Sequence, residues 1–264
     1  MKTHIAINGA CGRMGQRLVA LAQEDSELRV IAAADWVGHP HQGRDAGELA
    51  GVGPIGVVVT AAIPLTVNPD VIIDFSTPEG TIAALAIGQA RKIPVVVATT
   101  GHSTAQRAEI EAAAHETAIL FSPSMSLVVN LLFKLVKDAA TALKGKGFDA
   151  EIIERHHRFK KDSPSGTAMH FARIIQDEMA IPDLVHGREG MIGERPATEI
   201  GIHAVRGGDN VGEHAIIFSA LGETMELVHK GYSRDSYARG ALLAAKFLAN
   251  RPAGRYTMAD VLGL

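Results

Sequence analysis

The chain has 264 residues, 47% of them hydrophobic, and a formal net charge of -3 at pH 7. This length and composition predict one large domain or two moderate ones, and the weak acidic charge gives no electrostatic basis for binding nucleic acid. The single cysteine, Cys11, excludes an intrachain disulfide framework and predicts no metal-ligand cluster. No apolar run approaches the ~18 residues that span a bilayer, and a strand begins almost at once. We therefore predict a cytoplasmic protein with no signal peptide and no membrane partner.

The first motif joins a strand, a glycine-rich turn and a helix. An apolar strand over residues 4–8 leads into Gly9-Ala10-Cys11-Gly12-Arg13-Met14-Gly15, and an amphipathic helix follows. Glycines in this context let the backbone approach a pyrophosphate at the helix N-terminus, where Arg13 adds a cation. The spacing is GxxGxxG instead of GxGxxG, and an ordinary tight strand-to-helix turn is the alternative.

The second predicted strand covers residues 28–34 and ends at Asp35. Asp35 follows Gly15 by about 20 residues, the separation expected of an acidic residue that binds the adenosine ribose. The alternative role is to cap the next turn. Trp36 stands where an arginine would suit a 2′-phosphate, which favours NADH, while Arg13 keeps NADPH open.

Strands and helices then alternate up to residue 127. Strands are predicted over residues 57–59, 71–75, 94–98 and 118–121, with helices between the last three. This alternation predicts a parallel sheet with right-handed crossovers, in which ligands lie at the carboxyl ends of the strands. The loops after Asp74 and Ala98 fall at that edge and suit the nicotinamide side of a cofactor, with routine turn chemistry as the alternative. A helix over residues 130–143 follows.

The stretch Glu151–Ala168 contains three carboxylates, two adjacent histidines and four lysines or arginines. A strand is predicted to end at Glu154, a basic loop to follow, and a helix to open at Ser165 or Thr167 as its cap. The cations and the helix N-terminus favour an anion, and paired histidines suit proton transfer near neutral pH. A solvated charged loop is the alternative.

The C-terminal half follows a different plan. Strands are predicted over residues 200–206, 213–219 and 224–230, joined by hairpin-like turns at 207–210 and 221–223. They indicate an antiparallel or mixed sheet whose apolar faces favour an oligomer. His203, His214 and His229 lie on these strands without metal-ligand spacing, so we expect buried or interface histidines. Helices over residues 237–248 and 256–262 close the chain.

Several stretches resemble the dihydrodipicolinate reductase (4-hydroxy-tetrahydrodipicolinate reductase) family. They are residues 9–15, 74–81, 99–101 and above all 154–168, extended by 206–209 and 212–214. The resemblance covers nearly the whole chain. It implies an α/β fold in which an N-terminal Rossmann doubly wound parallel sheet is followed by a C-terminal α+β domain with an open mixed sheet. Residues 1–127 and 240–264 would form the dinucleotide-binding domain, and residues 128–239 the substrate-binding and oligomerisation domain of a homotetramer.

The resemblance also implies an activity. It is the NAD(P)H-dependent reduction of 4-hydroxy-tetrahydrodipicolinate, a small dicarboxylate, to tetrahydrodipicolinate. Water is lost in this reaction, which belongs to diaminopimelate and lysine biosynthesis. The cofactor would be NADH, NADPH or both, and no metal is expected.

The resemblance assigns roles to individual residues. His156 would be the general acid, with Lys160 also implicated in catalysis, although the residues alone leave His157 open as the proton donor. The two substrate carboxylates would bind His157, Lys160, Gly166 and Thr167. The cofactor contacts would be Gly9, Gly12, Arg13, Met14, Asp35, Phe75, Thr77, Thr99, Gly101, Ser124, Met125, Arg234 and Tyr237.

The chain departs from the family pattern at three places. Ser124 stands in Ser122-Pro123-Ser124-Met125-Ser126 where the family usually has asparagine, Phe159 replaces a common histidine, and Ser163 replaces the usual alanine. Two other functions remain open. One is a different nicotinamide-dependent dehydrogenase of a small dicarboxylate, and the other is a silent NAD(H)-sensing protein. The presence of His156 and Lys160 argues against the sensor, which has no need of an acid.

Overall fold

The structure is a computed structural model that describes residues 2–264 and divides into two compact units. The first unit extends to Leu127 and resumes with Arg234–Leu264, and the second is Val128–Ser233. The predicted return to the first domain at residue 240 is therefore six residues too late. It falls within the helix Asp235–Leu248, whose continuous hydrogen bonding keeps it in one unit. Among residues 2–264, no helix combines the length and apolar character needed to cross a membrane.

Over residues 2–264 the elements are, in chain order, β1 (Thr3–Asn8), α1 (Arg13–Glu24), β2 (Leu28–Ala34), α2 (Ala46–Leu49), β3 (Val59–Thr60), β4 (Val71–Asp74), α3 (Pro78–Arg91), β5 (Val95–Val97), α4 (Thr104–Ala113), β6 (Ala118–Phe121), α5 (Leu127–Leu143), β7 (Asp149–His156), α6 (Gly166–Met179), β8 (Asp183–Val185), β9 (Glu199–Arg206), β10 (Gly212–Ala220), β11 (Glu223–Gly231), α7 (Asp235–Leu248), β12 (Gly254–Tyr256) and α8 (Met258–Leu262).

The first unit contains a seven-stranded sheet in the order β12-β6-β5-β4-β1-β2-β3, with every pairing parallel. From β1 the chain winds outward to β3 and then returns to β4 on the other side of β1. The order reverses between β1 and β4, and a crevice at the carboxyl ends of strands is expected at such a point. The predicted doubly wound parallel sheet is confirmed.

The strands of this sheet are covered on both faces. Ile5, Ile7 and Ile73 are fully buried in one apolar cluster, and Ile72 and Val95 in another. Burial on two faces explains why these strands are continuous apolar runs without alternation. Strand β12 was missed: Tyr256 was predicted to be helical but pairs in parallel with β6, and the last helix begins only at Met258.

The second unit contains a mixed sheet in the order β11-β10-β7-β9-β8. Strand β7 is parallel to β9 and antiparallel to β10, and helices α5 and α6 contribute to the apolar cluster formed with the sheet. The predicted hairpin at residues 221–223 is confirmed, because it joins the paired strands β10 and β11. The predicted hairpin at residues 207–210 is wrong. Strands β9 and β10 lie on opposite sides of β7, so this loop crosses the end of β7.

Candidate active site

Strand β7 places a carboxylate and a histidine on the buried face of the second sheet. Its side chains alternate, so Ala150, Ile152, Glu154 and His156 share one face. The first two lie in the apolar cluster, while Glu154 is 0% and His156 7% exposed. The strand extends through His156, two residues beyond its predicted end, because both neighbouring strands pair with it there. His156 therefore lies on a strand and not in a loop.

The Glu154 carboxylate accepts hydrogen bonds from three residues. Its Oε2 lies 2.6 Å from His156 Nδ1, and its two oxygens accept from Arg206 Nη1 and Nη2, each at 2.7 Å. The Ser165 N–H donates to Oε1 at 2.8 Å. Burial raises the pKa of Glu154, but the donors His156, Arg206 and Ser165 outweigh burial and lower the pKa to about 2. Glu154 is therefore ionised at neutral pH.

The anion-binding candidates lie in the loop after β7 and in the first turn of α6. Ser165 is the helix cap, since its Oγ accepts from the Ala168 N–H at 3.2 Å, so Ser165 is the correct one of the two predicted caps. Gly166 and Thr167 are the first two helical residues, and their N–H groups precede the first intrahelical hydrogen bond. Such N–H groups at the positive end of a helix suit a carboxylate.

Lys160 Nζ lies 2.8 Å from the Asp162 carboxylate. Burial raises the pKa of Asp162, but hydrogen bonds from Lys160 and from backbone N–H groups, including that of Gly166, lower it overall. Asp162 thus shows that Lys160 and the start of α6 act on one carboxylate, the arrangement that an anionic ligand requires.

The loop over residues 207–210 fixes the end of β7. The Gly207 N–H donates to the His156 carbonyl at 3.1 Å, and the His157 N–H donates to the Asn210 carbonyl at 2.8 Å. His157 lies just beyond the strand and is half-buried. The predicted residues His156, His157, Lys160, Gly166 and Thr167 therefore come from one strand end, one loop and one helix start. Sequence reasoning did not assign roles to Glu154 and Arg206, which organise them.

A row of histidines continues behind His156. The rings of His156 and His214 are 5.2 Å apart, and those of His214 and His229 are 6.0 Å apart. His214 Nε2 lies 3.3 Å from Ser165 Oγ. Burial, aided by His156 and His229, lowers the pKa of His214 to about 3, and burial also lowers the pKa of His229. The prediction of buried histidines is confirmed for His214 and His229, which are neutral at pH 7.

In the first unit, each glycine of the turn after β1 has a different structural role. Gly9 has φ +80°, and a Cβ there would lie 2.4 Å from the Phe75 carbonyl oxygen. A Cβ on Gly15 would lie 2.2 Å from the Gly9 carbonyl oxygen. Gly12 is exposed and caps α1 without a side-chain hydrogen bond, with Arg13 and Met14 next in the helix. The N-terminus of this 12-residue helix suits a pyrophosphate.

Asp35 joins the end of β2 to this turn. Its Oδ2 accepts from the Cys11 N–H at 2.8 Å and its Oδ1 from the Trp36 N–H at 2.9 Å. The contacts support the turn-capping role and place the half-buried carboxylate beside the glycine turn, as ribose binding requires. Potential ligand atoms of Cys11, Asp35 and His39 also lie within 4.8 Å of one another. The prediction that Cys11 offers no cluster of ligand-type residues is thus wrong, although backbone donors already occupy both Asp35 oxygens.

The loops predicted for the nicotinamide side converge on one buried carboxylate. Asp74 is 0% exposed and accepts from Asn8 Nδ2 at 2.7 Å and from Thr81 Oγ1 at 2.6 Å. It also accepts from Thr99 Oγ1 at 2.8 Å, which itself accepts from the Ser76 N–H. Asp74 therefore brings together the loops after β1, β4 and β5. Phe75, Thr77, Thr99 and Gly101 lie on these last two loops.

The remaining cofactor candidates lie after β6 and at the start of α7. Met125 is 2% exposed, so any cofactor contact from it would come from its backbone. Ser124, the residue before it, is also buried. Arg17 donates to both oxygens of Asp235 at 2.7 and 2.8 Å. This ion pair ties the first turn of α7, which contains Tyr237 and follows the cap residue Arg234, to α1.

Gly15→Ala and Gly12→Ala are expected to have different effects. Gly15→Ala should lower the free energy of unfolding by about 1–3 kcal/mol, because the added methyl overlaps the backbone of residues 9 and 10. In Gly12→Ala the nearest atom lies 3.3 Å away, so the variant should fold normally. It should instead weaken NADH binding, since the methyl lies where a pyrophosphate would approach. Urea unfolding and NADH fluorescence titration separate the two effects. Unchanged NADH affinity in Gly12→Ala would exclude the turn as a pyrophosphate site.

Comparison with known proteins matches both parts of the chain. Family models described as dihydrodipicolinate reductase, N-terminus and C-terminus, match residues 3–125 and 128–262. The 4-hydroxy-tetrahydrodipicolinate reductase of Aromatoleum aromaticum is 45% identical and covers 98% of this chain and 95% of its own. That of Syntrophotalea carbinolica is 42% identical and covers 98% of each chain.

A solved structure shows the same fold. Dipicolinate-bound dihydrodipicolinate reductase from Paenisporosarcina sp. TG-14 superposes with a TM-score of 0.77 at 24% identity, over 98% of this chain and 99% of the other. Both units are thus matched, and close relatives extend over nearly the full length. The chain belongs to the dihydrodipicolinate reductase family.

Proposed function

We propose that the chain reduces 4-hydroxy-tetrahydrodipicolinate to tetrahydrodipicolinate with NADH or NADPH, in diaminopimelate and lysine biosynthesis. The observation that carries the proposal is that the buried Glu154 lies 2.6 Å from His156 Nδ1 and accepts from the Ser165 N–H at the start of α6, in the segment that also bears Lys160. We take His156 as a proton donor and the loop and helix start as donors for an anion. The names of the curated relatives and the dipicolinate bound in the solved structure support a cyclic dicarboxylate as the ligand.

We propose that Lys160, His157 and the N–H groups of Gly166 and Thr167 bind the two substrate carboxylates. Charge-assisted hydrogen bonds of this kind are stronger than neutral ones. A substrate carboxylate would take the place that the Asp162 carboxylate holds beside Lys160. Phe159 and Ser163 lie in the same loop and are exposed, so these departures from the family pattern need not disturb the donors.

The 4-hydroxyl would first be lost as water together with a proton from the neighbouring ring carbon, and a bound nicotinamide would supply the hydride that then adds to C4. Hydride addition leaves an enamine-type electron pair that has to take up one proton. We assign that proton to His156, because Glu154 at 2.6 Å from its Nδ1 holds the buried ring in one orientation. Lys160 assists by holding a carboxylate of the ring in place. The overall reaction consumes NAD(P)H and one proton and releases NAD(P)⁺ and water.

The first unit fits a dinucleotide. The N-terminus of α1, whose cap residue Gly12 has no side chain, suits the pyrophosphate, and the Asp35 carboxylate suits the ribose hydroxyls. Because a carboxylate repels a 2′-phosphate, we propose that NADH is preferred, while the exposed Arg13 leaves NADPH usable. We also propose a homotetramer in the cytoplasm, assembled through the second sheet, where Val205 and Val228 are 48% and 45% exposed.

The test follows NADH or NADPH absorbance with substrate formed in situ from pyruvate and aspartate semialdehyde. Lys160→Met should weaken binding of the substrate and of pyridine-2,6-dicarboxylate by about 10–100-fold, the loss expected for a hydrogen bond to a charged group. The matched control is Lys161→Met, which removes the neighbouring exposed cation and should change neither value. Cofactor binding without turnover would reject the reductase and favour the NAD(H) sensor. Turnover of another dicarboxylate only would favour the alternative dehydrogenase.

A further inference from the structure

We infer that Glu154 and Arg206 are positioning residues for this reaction. Glu154 selects which nitrogen of His156 handles the proton, and Arg206 holds both Glu154 and the loop that carries Lys160. The inference rests on the proposed function for the identity of the reaction, but the arrangement of His156 can be tested without it.

Glu154 determines the tautomer of His156. A carboxylate can only accept hydrogen bonds, so His156 Nδ1, at 2.6 Å from Glu154 Oε2, has to carry a proton. In the neutral ring Nε2 is then the unprotonated nitrogen, and in the charged ring Nε2–H is the proton available for donation. Carboxylates that orient histidines in this way fix both the ring and its tautomer.

Arg206 keeps Glu154 ionised, so that Glu154 can only accept a hydrogen bond from His156 Nδ1. Burial by itself raises the pKa of Glu154. A protonated Glu154 could donate to Nδ1 and favour the opposite tautomer. Two parallel hydrogen bonds of 2.7 Å from Arg206 prevent this, because the planar guanidinium matches both carboxylate oxygens. The Ser165 N–H adds a third fixed donor, so the carboxylate is held against rotation.

Arg206 also reaches the substrate loop. Its Nη2 donates to the Asp162 carbonyl at 2.7 Å, two residues from Lys160. The same cation therefore fixes the acid and the cationic loop relative to each other. Sequence separation explains why the link was missed: Arg206 lies on β9, which is paired with β7 in register with His156.

The first test uses the unmodified protein with ¹⁵N-labelled histidine. The titratable groups that act directly on His156 are Glu154, His214 and His229, while Arg206 acts on Glu154 and Lys160 acts on His214. At a pH where His156 is neutral, we expect its NMR spectrum to show Nδ1 protonated and Nε2 bare. The opposite tautomer would overturn the inference whether or not the protein is a reductase.

The second test uses Arg206→Met and Arg206→Lys. Arg206→Met should lower kcat by about 100-fold, the lower range for losing a positioned acid. Arg206→Lys keeps the charge and should restore part of that loss. The control is Arg155→Lys on the neighbouring strand β7, whose side chain is 58% exposed, and it should retain full activity. Equal losses in both Arg206 variants, with the wild-type tautomer retained, would overturn the inference.

Glu154→Gln gives a readout that a purely structural role would not move. An amide can donate as well as accept, so His156 in the labelled variant should no longer show a single fixed tautomer. Reduced activity with the wild-type tautomer retained would count against the inference. If this variant does not fold, the Arg206 pair and the labelled wild-type protein still decide. An inactive wild-type protein with the expected tautomer would reject the proposed function and leave the positioning intact.

Discussion

His156→Gln is expected to lower kcat by about 10²–10⁴-fold, the contribution usual for a general acid. Glutamine keeps a donor that can reach Glu154, so the ion pair between Glu154 and Arg206 should survive. It cannot deliver a proton to the ring after hydride addition. NADH binding should be unchanged, because the cofactor candidates lie in the other unit. Steady-state kinetics at saturating NADH and fluorescence titration of NADH measure the two quantities.

His157→Gln is the matched variant. His157 lies past the end of β7, half-buried, with its N–H bound to the Asn210 carbonyl. As a carboxylate ligand it should mainly raise KM and the dissociation constant of pyridine-2,6-dicarboxylate. The pair decides which of the adjacent histidines delivers the proton. A collapse of kcat in His157→Gln, with His156→Gln affecting KM alone, would reverse the assignment.

The parallel sheet was predictable because its signals are local. Each of these signals is contained in a few consecutive residues. They are the continuous apolar strands, the glycines of the β1–α1 turn and the acidic residue after β2. The loop at residues 207–210 shows where local signals fail. Its two glycines are typical of a hairpin, but turn chemistry cannot report that β7 pairs between β9 and β10. Strand β12 was missed because three residues carry too little pattern to distinguish a strand from a helix start.

Within the site, the hydrogen-bond donors were predictable from the sequence, but the Glu154–Arg206 pair that positions them was not. Gly166 and Thr167 follow from cap chemistry and the histidine pair from its residue type beside cations, whereas only the family resemblance singles out His156. One signal for Glu154 was nevertheless present. It lies two residues from Ile152, on the face that alternation predicts to be buried, where a carboxylate needs partners. The partner Arg206 is brought there by strand pairing across 52 residues, which no local pattern contains.

The stability of the protein is expected to fall as the pH drops below about 6.5, and His214 should account for much of the change. The pKa of His214 is lowered from 6.5 to about 3 by burial and by His156 and His229. Between these two pKa values the unfolded chain binds a proton at His214 and the folded chain does not. The stabilisation is complete above pH 6.5 and is lost progressively toward pH 3. One such group contributes a slope of up to about 1.4 kcal/mol per pH unit in this window.

His214→Phe should remove this slope. Phenylalanine fits an aromatic environment that already includes Phe171, at 6.0 Å between ring centroids, although it loses the contact with Ser165 Oγ. The variant should be less stable than the wild type at pH 7, yet lose about 2 kcal/mol less between pH 6.5 and pH 5. His115→Phe, at an exposed position, controls for the change of residue type. Urea unfolding at several pH values measures the slopes. If the unfolding free energies of wild type and His214→Phe fall equally with pH, the prediction is wrong. His214 would then bind a proton equally well in the folded and unfolded chains, because a group with equal proton affinity in both states does not change stability with pH.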